Sequence, residues 1–419
     1  MGWLFLRISN PYIPIEEPIE FKQMKTFQLE EVRQSEDSHR IDLSIRLGDV
    51  QHKLFFSSKD ASLNFDLDAL LAFTLPICMV EKADWTPEGP INLVIHQHLP
   101  QIMDFFQAWK PHLYRPNLPN VTPVERPVNP QTGSGLFFTG GIDSFFTLYK
   151  YLDQITHLVY IHGLEMSLDN LPLRSQISQM LRKVGRQLGK NVIEIETNFR
   201  KFSSNYAGRR ITHGFELTGV AFLLQNYFSR VWISNGVTYD QIIPQSMHPE
   251  ITCLLESQVM GISFVGNDLT RLEKTAVLSR RTDYLSEKPD DLIQVTPEQS
   301  RLTLDTLRVC NENRKGAYNC GRCEKCLRTM IDLRLVNALD QCTSIKEPLD
   351  LSRVARLDIQ KATQRTYIKN ALQELIRTNR DPELQKVLRK ALDHDNLFKK
   401  IKRWISRRLR NLLPRKSWY

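Results

Sequence analysis

LFFTGGIDSFFTL, residues 136–148, opens with three apolar residues, passes through paired glycines and resumes with apolar residues at helical spacing. The pattern predicts a strand, a tight loop and a helix start in direct succession. Such a turn gathers the unpaired N–H groups of the first helical turn around one point, where the helix dipole also favours an anion. Gly140 and Gly141 lack a Cβ, so the backbone there can take positive φ and approach a phosphate closely. Ser144 falls in the first helical turn, where its hydroxyl and N–H can face the same oxygen. Asp143 puts a carboxylate where anions are expected, which calls for a bridging cation and so for Mg²⁺. The expected ligand is therefore a nucleotide, held by Thr139, Gly140, Gly141, Ile142, Asp143 and Ser144.

Downstream of the loop, strands and helices alternate. HLVYIHG (157–163), NVIEIET (191–197) and RVWISNG (230–236) are short and β-rich, and helical patterns near 171–189 and 213–229 separate them. Alternation of this kind predicts an α/β fold with a parallel sheet covered on both faces. Ligands of such sheets sit at the carboxyl ends of the strands. That rule puts the glycine loop, His162-Gly163 and Asn235 to Asp240, with Gly236 among them, on one rim and in one pocket. His213 and His248 could act as acid–base groups, but with no visible partner they read as structural, and Asp240 reads as a turn residue within reach of Mg²⁺ or substrate.

The seven cysteines are unevenly spread, and Cys310, Cys320, Cys323 and Cys326 fall within 17 residues. Two overlapping C-x-x-C steps and one earlier cysteine can close four thiolates around a tetrahedral ion, with Gly321 letting the chain wrap back. Zinc is the default occupant, and an iron–sulfur cluster uses the same ligand set. Cys78, Cys253 and Cys342 are scattered singly, which argues against a disulfide framework, and no secretory leader opens the sequence. A reducing cytoplasm is the expected setting.

TGGIDS resembles the PP-loop, the SGGxDS signature of ATP pyrophosphatases in the adenine nucleotide alpha hydrolase-like superfamily, with Thr139 replacing the first serine. It is not a Walker A loop, because no lysine follows the glycines. Combined with the C-x9-C-x2-C-x2-C run, residues 134–340 resemble the QueC family of 7-cyano-7-deazaguanine synthases, and Arg328 follows the last cysteine as a basic residue does there. The family's Gly-Tyr-Pro-Asp-Cys-Arg-like stretch is missing, and Gly236-Val237-Thr238-Tyr239-Asp240 and His248-Pro249-Glu250 stand in its place. The resemblance thus implies a QueC-like PP-loop fold of the HUP or Rossmann-like kind acting on another substrate, of the sort found in bacterial antiviral defence or modification systems. It implies ATP, Mg²⁺ and Zn²⁺ as cofactors, and attack of a carboxylate or carbonyl oxygen on the α-phosphorus to give an adenylate and pyrophosphate, after which a nitrogen or sulfur nucleophile would displace AMP. The acceptor would be a small molecule, a base or nucleoside, or a protein-borne group, with partner proteins of a multi-component system. Asp143, Ser144 and Lys274 are the implied catalytic residues, Lys274 matching the lysine that follows the family's substrate loop. Arg271, three residues before it, can point from the same helix face to the same anion. Two other readings stand: a tRNA thiolase in which two cysteines are catalytic, and a non-catalytic nucleotide-sensing or nucleic-acid-binding subunit.

Composition divides the chain into a β-rich N-terminal domain (1–110), a Pro-rich linker (111–134), the PP-loop domain with its zinc knuckle (135–340) and a helical C-terminal region (341–419). Six prolines lie between Pro111 and Pro130, and Arg40 to Leu47 and Val50 to Phe56 alternate around Gly48-Asp49 as a hairpin. A helical stretch near His96 to Trp109 is expected to pack on the sheet. The net charge of +9 resides in residues 399–419, which carry nine Lys or Arg and no acid. Leu397, Ile401, Trp404, Ile405, Leu409 and Leu412 give this tail an apolar stripe, which could lie on an anionic membrane, bind nucleic acid or dock on the protein. No apolar run is long enough to span a membrane.

Overall fold

The computed structural model describes residues 24–393, apart from 129, 132, 287–291, 315, 358 and 360–361. The basic tail and its apolar stripe lie outside the described residues. Strands run β1 (Lys25–Gln34), β2 (Arg40–Leu47), β3 (Val50–Ser58), β4 (Ala83–Trp85), β5 (Gly89–Asn92), β6 (Val121–Val124), β7 (Ser134–Phe137), β8 (His157–His162), β9 (Asn191–Thr197), β10 (Arg230–Ser234) and β11 (Gly261–Val265). Helices run α1 (Leu67–Glu81), α2 (Leu93–Trp109), α3 (Ile142–Lys150), α4 (Leu171–Leu188), α5 (Phe199–Ser203), α6 (Arg209–Leu223), α7 (Pro249–Thr252), α8 (Arg271–Leu278), α9 (Pro297–Thr306), α10 (Glu324–Leu335), α11 (Leu351–Val354), α12 (Ala362–Arg377) and α13 (Pro382–Asp393).

Nine strands form one sheet in the order β11-β10-β7-β8-β9-β3-β2-β1-β4. From β11 to β9 every neighbouring pair is parallel. Numbered along the chain, these five strands have the order 3-2-1-4-5 of doubly wound sheets, with the reversal between β7 and β10. Chain leaving β7 therefore turns to one side and chain leaving β10 to the other, which opens a crevice at their carboxyl ends.

The N-terminal strands, expected as a separate unit, are hydrogen-bonded onto this sheet. β3 pairs antiparallel with β9, with Phe56 opposite Thr197 and Ser58 opposite Ile195. The hairpin turns at Gly48, where φ is +58°. Its core-facing residues Ile41, Leu43, Ile45, Leu54 and Phe56 join the side chains of α6 in one apolar cluster, while α3, α4, α10 and the C-terminal helices form the cluster of the opposite face. Helix α1 gives no amphipathic signal because almost all of it is buried, including Pro76.

The Pro-rich segment is tied down as well. β6 pairs with β5, and Arg126 reaches the start of α1, 2.5 Å from Asp66 and 3.0 Å from Asp68. Burial, and then the charge of Asp66, pushes the Asp68 carboxyl up from 3.8 to about 7, against the opposing pull of the Asn92 N–H and Arg126. The folded state thus holds an extra proton between those values, so this group's contribution is complete below about pH 4 and is lost as pH rises towards 7. In urea titrations between pH 5 and 8, Asp68→Asn should flatten the decline in unfolding free energy and Arg126→Ala should steepen it. Parallel pH profiles for the three proteins would refute the assignment.

Candidate functional site

The β7–α3 loop lies at the crevice. Phe138 N–H donates to Val159 O at 2.9 Å, continuing the pairing with β8 one residue past the strand. Gly140 takes φ +73°, and a Cβ there would stand 2.7 Å from Met180 Cε, so another residue would be both strained and crowded. Gly141 precedes α3 with no side-chain cap on the helix N-terminus, and the buried Ser144 hydroxyl donates back to Gly141 O at 3.0 Å. The first-turn N–H groups of α3 are left without a side-chain acceptor, beside a cavity of about 410 Å³.

The cavity carries an excess of positive charge. Arg209, Arg271, Arg308 and Lys325 face it, against the carboxylates of Asp143 and Glu165. Val159, Ile161, Leu164, Ile233 and Met247 form an apolar wall on the rest of its lining. Burial alone would raise Asp143, but Arg271, Lys274, Lys325 and Arg328 outweigh it and keep the carboxylate ionised below its ordinary value. Glu165 is held low in the same way, with burial outweighed chiefly by Arg209, whose guanidinium it pairs with. Lys325 is pushed down to about 8, first by burial and then by the charge of Arg271. Its ammonium makes no ion pair or side-chain hydrogen bond among the described residues.

His213, at the Glu165 end, is kept neutral by burial and by Arg209. Arg209 Nη2 lies 3.0 Å from His213 Nε2, and an arginine can only donate, so Nε2 accepts and the proton sits on Nδ1, facing Glu216 at 3.5 Å. Read from sequence as structural, His213 instead lines the cavity.

Thr139, Gly141, Asp143 and Ser144 all reach the cavity, and Ile142 and Gly140 lie in the same loop. Lys274, expected to face phosphate, does not reach it. It is fully buried and donates to Asn235 O at 2.7 Å and Gly266 O at 2.5 Å, with Asp143 Oδ1 at 3.6 Å. Arg271 and Lys274 do point at one anion, but that anion is Asp143 itself, whose Oδ2 Arg271 contacts. Contrary to the expectation from sequence, this carboxylate thus does not by itself call for a bridging cation, because Arg271 and Lys274 already neutralise it.

His162 turns away from the cavity into a crevice between β9 and α4, where it lies 2.8 Å from Glu194. Gly163 only makes the bend after β8, and the loop it starts delivers Leu164 and Glu165 to the cavity instead. Gly236 packs directly on Asp143 rather than on the open cavity. Asp240 is exposed, and His248 caps α7 and packs on Trp109. Glu165, Arg209, Arg308 and Lys325 were not singled out. The local signals were a basic residue two before Cys310, a lysine inside the C-x-x-C step and a charged residue just past a strand end.

Cys310, Cys320, Cys323 and Cys326 are all buried, with their sulfurs within 4.8 Å of one another. Cys310–Cys323 and Cys320–Cys326 separations are 4.0 and 3.9 Å. Four sulfurs about 2.3 Å from a tetrahedral ion stand about 3.8 Å apart, so the spacing suits one metal ion such as zinc. Several irons would spread the thiolates further. Backbone N–H groups of Cys323 and Cys326 point at the sulfurs of Cys320 and Cys323, at 3.3 and 3.4 Å, which favours the thiolate form. Gly321 has φ +63°, and a Cβ there would strike Glu347 Cβ at 2.4 Å.

Elemental analysis of the purified protein should find one zinc per chain and no visible absorption, and Cys326→Ser should lose the metal. A brown protein with iron and labile sulfide would contradict the single-ion geometry. Lys274→Ala should lower stability by roughly 3–5 kcal/mol, the usual effect of breaking a buried ion pair. Unchanged thermal unfolding in that variant would show that Lys274 is not the strut described.

Comparison with protein-family models and with curated proteins finds no match for this chain, so the fold, the cationic cavity and the cysteine cluster are what bear on its function.

Proposed function

We propose that the chain binds ATP at the glycine loop and activates a carboxylate or carbonyl substrate by adenylation, releasing pyrophosphate, as a QueC-like ligase. The observation that carries this reading is a glycine loop at the reversal point of a parallel sheet, opening into a cavity where four cations outnumber two carboxylates. The resemblance of TGGIDS and of the cysteine spacing to that family supports it.

In this reading the loop N–H groups, Arg271 and Lys325 hold the phosphates, and Arg308 closes the same side. A substrate oxygen attacks the α-phosphorus, and the bond to the β-phosphate breaks with its electron pair leaving on pyrophosphate. Fixed cations and N–H groups stabilise the charge that gathers there without reorganising. Asp143 Oδ1 is buried and accepts no hydrogen bond, so a Mg²⁺ arriving with the nucleotide would be held there in place of the 3.6 Å contact to Lys274, and would neutralise phosphate charge. The apolar wall suits a base, and the Glu165–Arg209–His213 end would position the acceptor. Lys274 acts as a positioning residue, through Asp143.

The decisive assay supplies α-labelled ATP and Mg²⁺, with and without cell extract, and resolves AMP from ADP. Extract-dependent AMP is expected, released when a nitrogen or sulfur nucleophile from the extract displaces it from the adenylate, and reduced about 10²-fold or more by Asp143→Asn if that carboxylate organises the charge. ADP as the product would overturn the reading, and tight ATP binding without turnover would replace it with a nucleotide-sensing subunit.

A further inference from the structure

The cysteine cluster and the glycine loop are joined by covalent neighbours on both sides. Arg308, two residues before Cys310, donates its backbone N–H to Gly140 O at 2.8 Å, so the segment leading to the first cysteine lies directly on the loop. The Arg308 guanidinium folds back to Cys310 O at 2.6 Å, and Asn319 Oδ1 accepts from the N–H groups of Val309 and Cys310 at 2.9 and 3.2 Å. Cys310 and Asn311 themselves line the cavity.

On the other side, Cys323 is the N-cap of α10 and accepts from the Cys326 N–H. Lys325 stands between these two ligands, in the first turn of α10, and points into the cavity. A cation in the first turn of a helix is placed against the helix dipole, and this one has no ion-pair partner among the described residues. An anion in the cavity would supply the missing partner. Arg308 and Lys325, two of the four cavity cations, are thus held in place by the chain that wraps the metal site.

We propose that metal binding at Cys310, Cys320, Cys323 and Cys326 and polyphosphate binding in the cavity are positively coupled. The metal closes the knuckle, the closed knuckle sets Lys325 and Arg308 towards the glycine loop, and by linkage a bound polyphosphate tightens the metal by the same factor. The proposal rests on the nucleotide reading only in requiring a phosphate-binding cavity, and it does not require turnover.

Inorganic pyrophosphate is the probe, without Mg²⁺. Calorimetry should show about tenfold tighter pyrophosphate binding by zinc-loaded protein than by chelator-stripped protein, within the usual range of coupling between sites. In cobalt-loaded protein, whose thiolate absorption reports occupancy, pyrophosphate should raise cobalt affinity against EDTA by a similar factor. Lys325→Gln should retain the cobalt spectrum and lose both effects, which separates coupling from pyrophosphate's own chelation of the metal.

Equal pyrophosphate affinity in loaded and stripped proteins that both remain folded by circular dichroism would overturn the coupling. So would an identical cobalt response in the parent and Lys325→Gln, and this second comparison decides the matter if the stripped protein unfolds. Coupling without AMP formation would reject the adenylation reading alone, whereas no pyrophosphate binding by the loaded parent would reject both.

Discussion

The site depends on one buried charge cluster, formed by Asp143, Arg271 and Lys274. Taking an ion out of water costs several kcal/mol after relaxation, and a buried pair repays this only where geometry and extra hydrogen bonds are good. Lys274 meets that condition because its ammonium is surrounded by oxygens from three strand ends: Asp143 after β7, Asn235 after β10 and Gly266 after β11. Arg271 adds α10, through Thr329 at 3.4 Å. One lysine therefore fixes the relative positions of three loops at the crevice.

With that floor fixed, the cavity can hold its charges apart without a ligand to organise them. The Glu165–Arg209–His213 end is internally balanced, whereas the end near the loop, with Arg308 and Lys325, is not. Preorganised positive charge in a partly enclosed space acts more strongly on an anion than the same groups in water. Closely packed glycine, methionine and knuckle residues around Gly140 leave the loop little freedom to move away.

Sequence periodicity was enough for the parallel strands β8 to β10 and for α4, because each is punctuated by turn residues, whereas the helix expected near 213–229 runs Arg209–Leu223 and α5 was not anticipated. It was also enough for the cysteine cluster, whose spacing admits few geometries. It did not reveal α1, which is buried on nearly every side and so lacks an amphipathic stripe. Nor could it tell that the hairpin of β2 and β3 joins the main sheet, since pairing between β3 and β9 spans more than 130 residues and leaves no local trace. At the site, strand-end logic located the loop but not the direction of individual side chains. His162 and Lys274 were both assigned to the ligand, and the structure instead pairs each with a carboxylate of the protein.

The junction of β3 with β9 also bears on self-association. Without it, β9 would end the parallel sheet with a row of unpaired N–H and C=O groups, a ready template for another chain. The hairpin extends the sheet through antiparallel β2 and β1, and β4 then pairs in parallel with β1 over Lys25–Phe27 alone. Among the described residues, the border left beyond β4 is Gln28–Gln34 of β1, where the register shift at Leu29/Glu31 and the charges of Glu30, Glu31 and Arg33 make a poor template for another strand. Part of what the N-terminal strands contribute is thus a cover for the edge of β9, independent of any chemistry at the crevice.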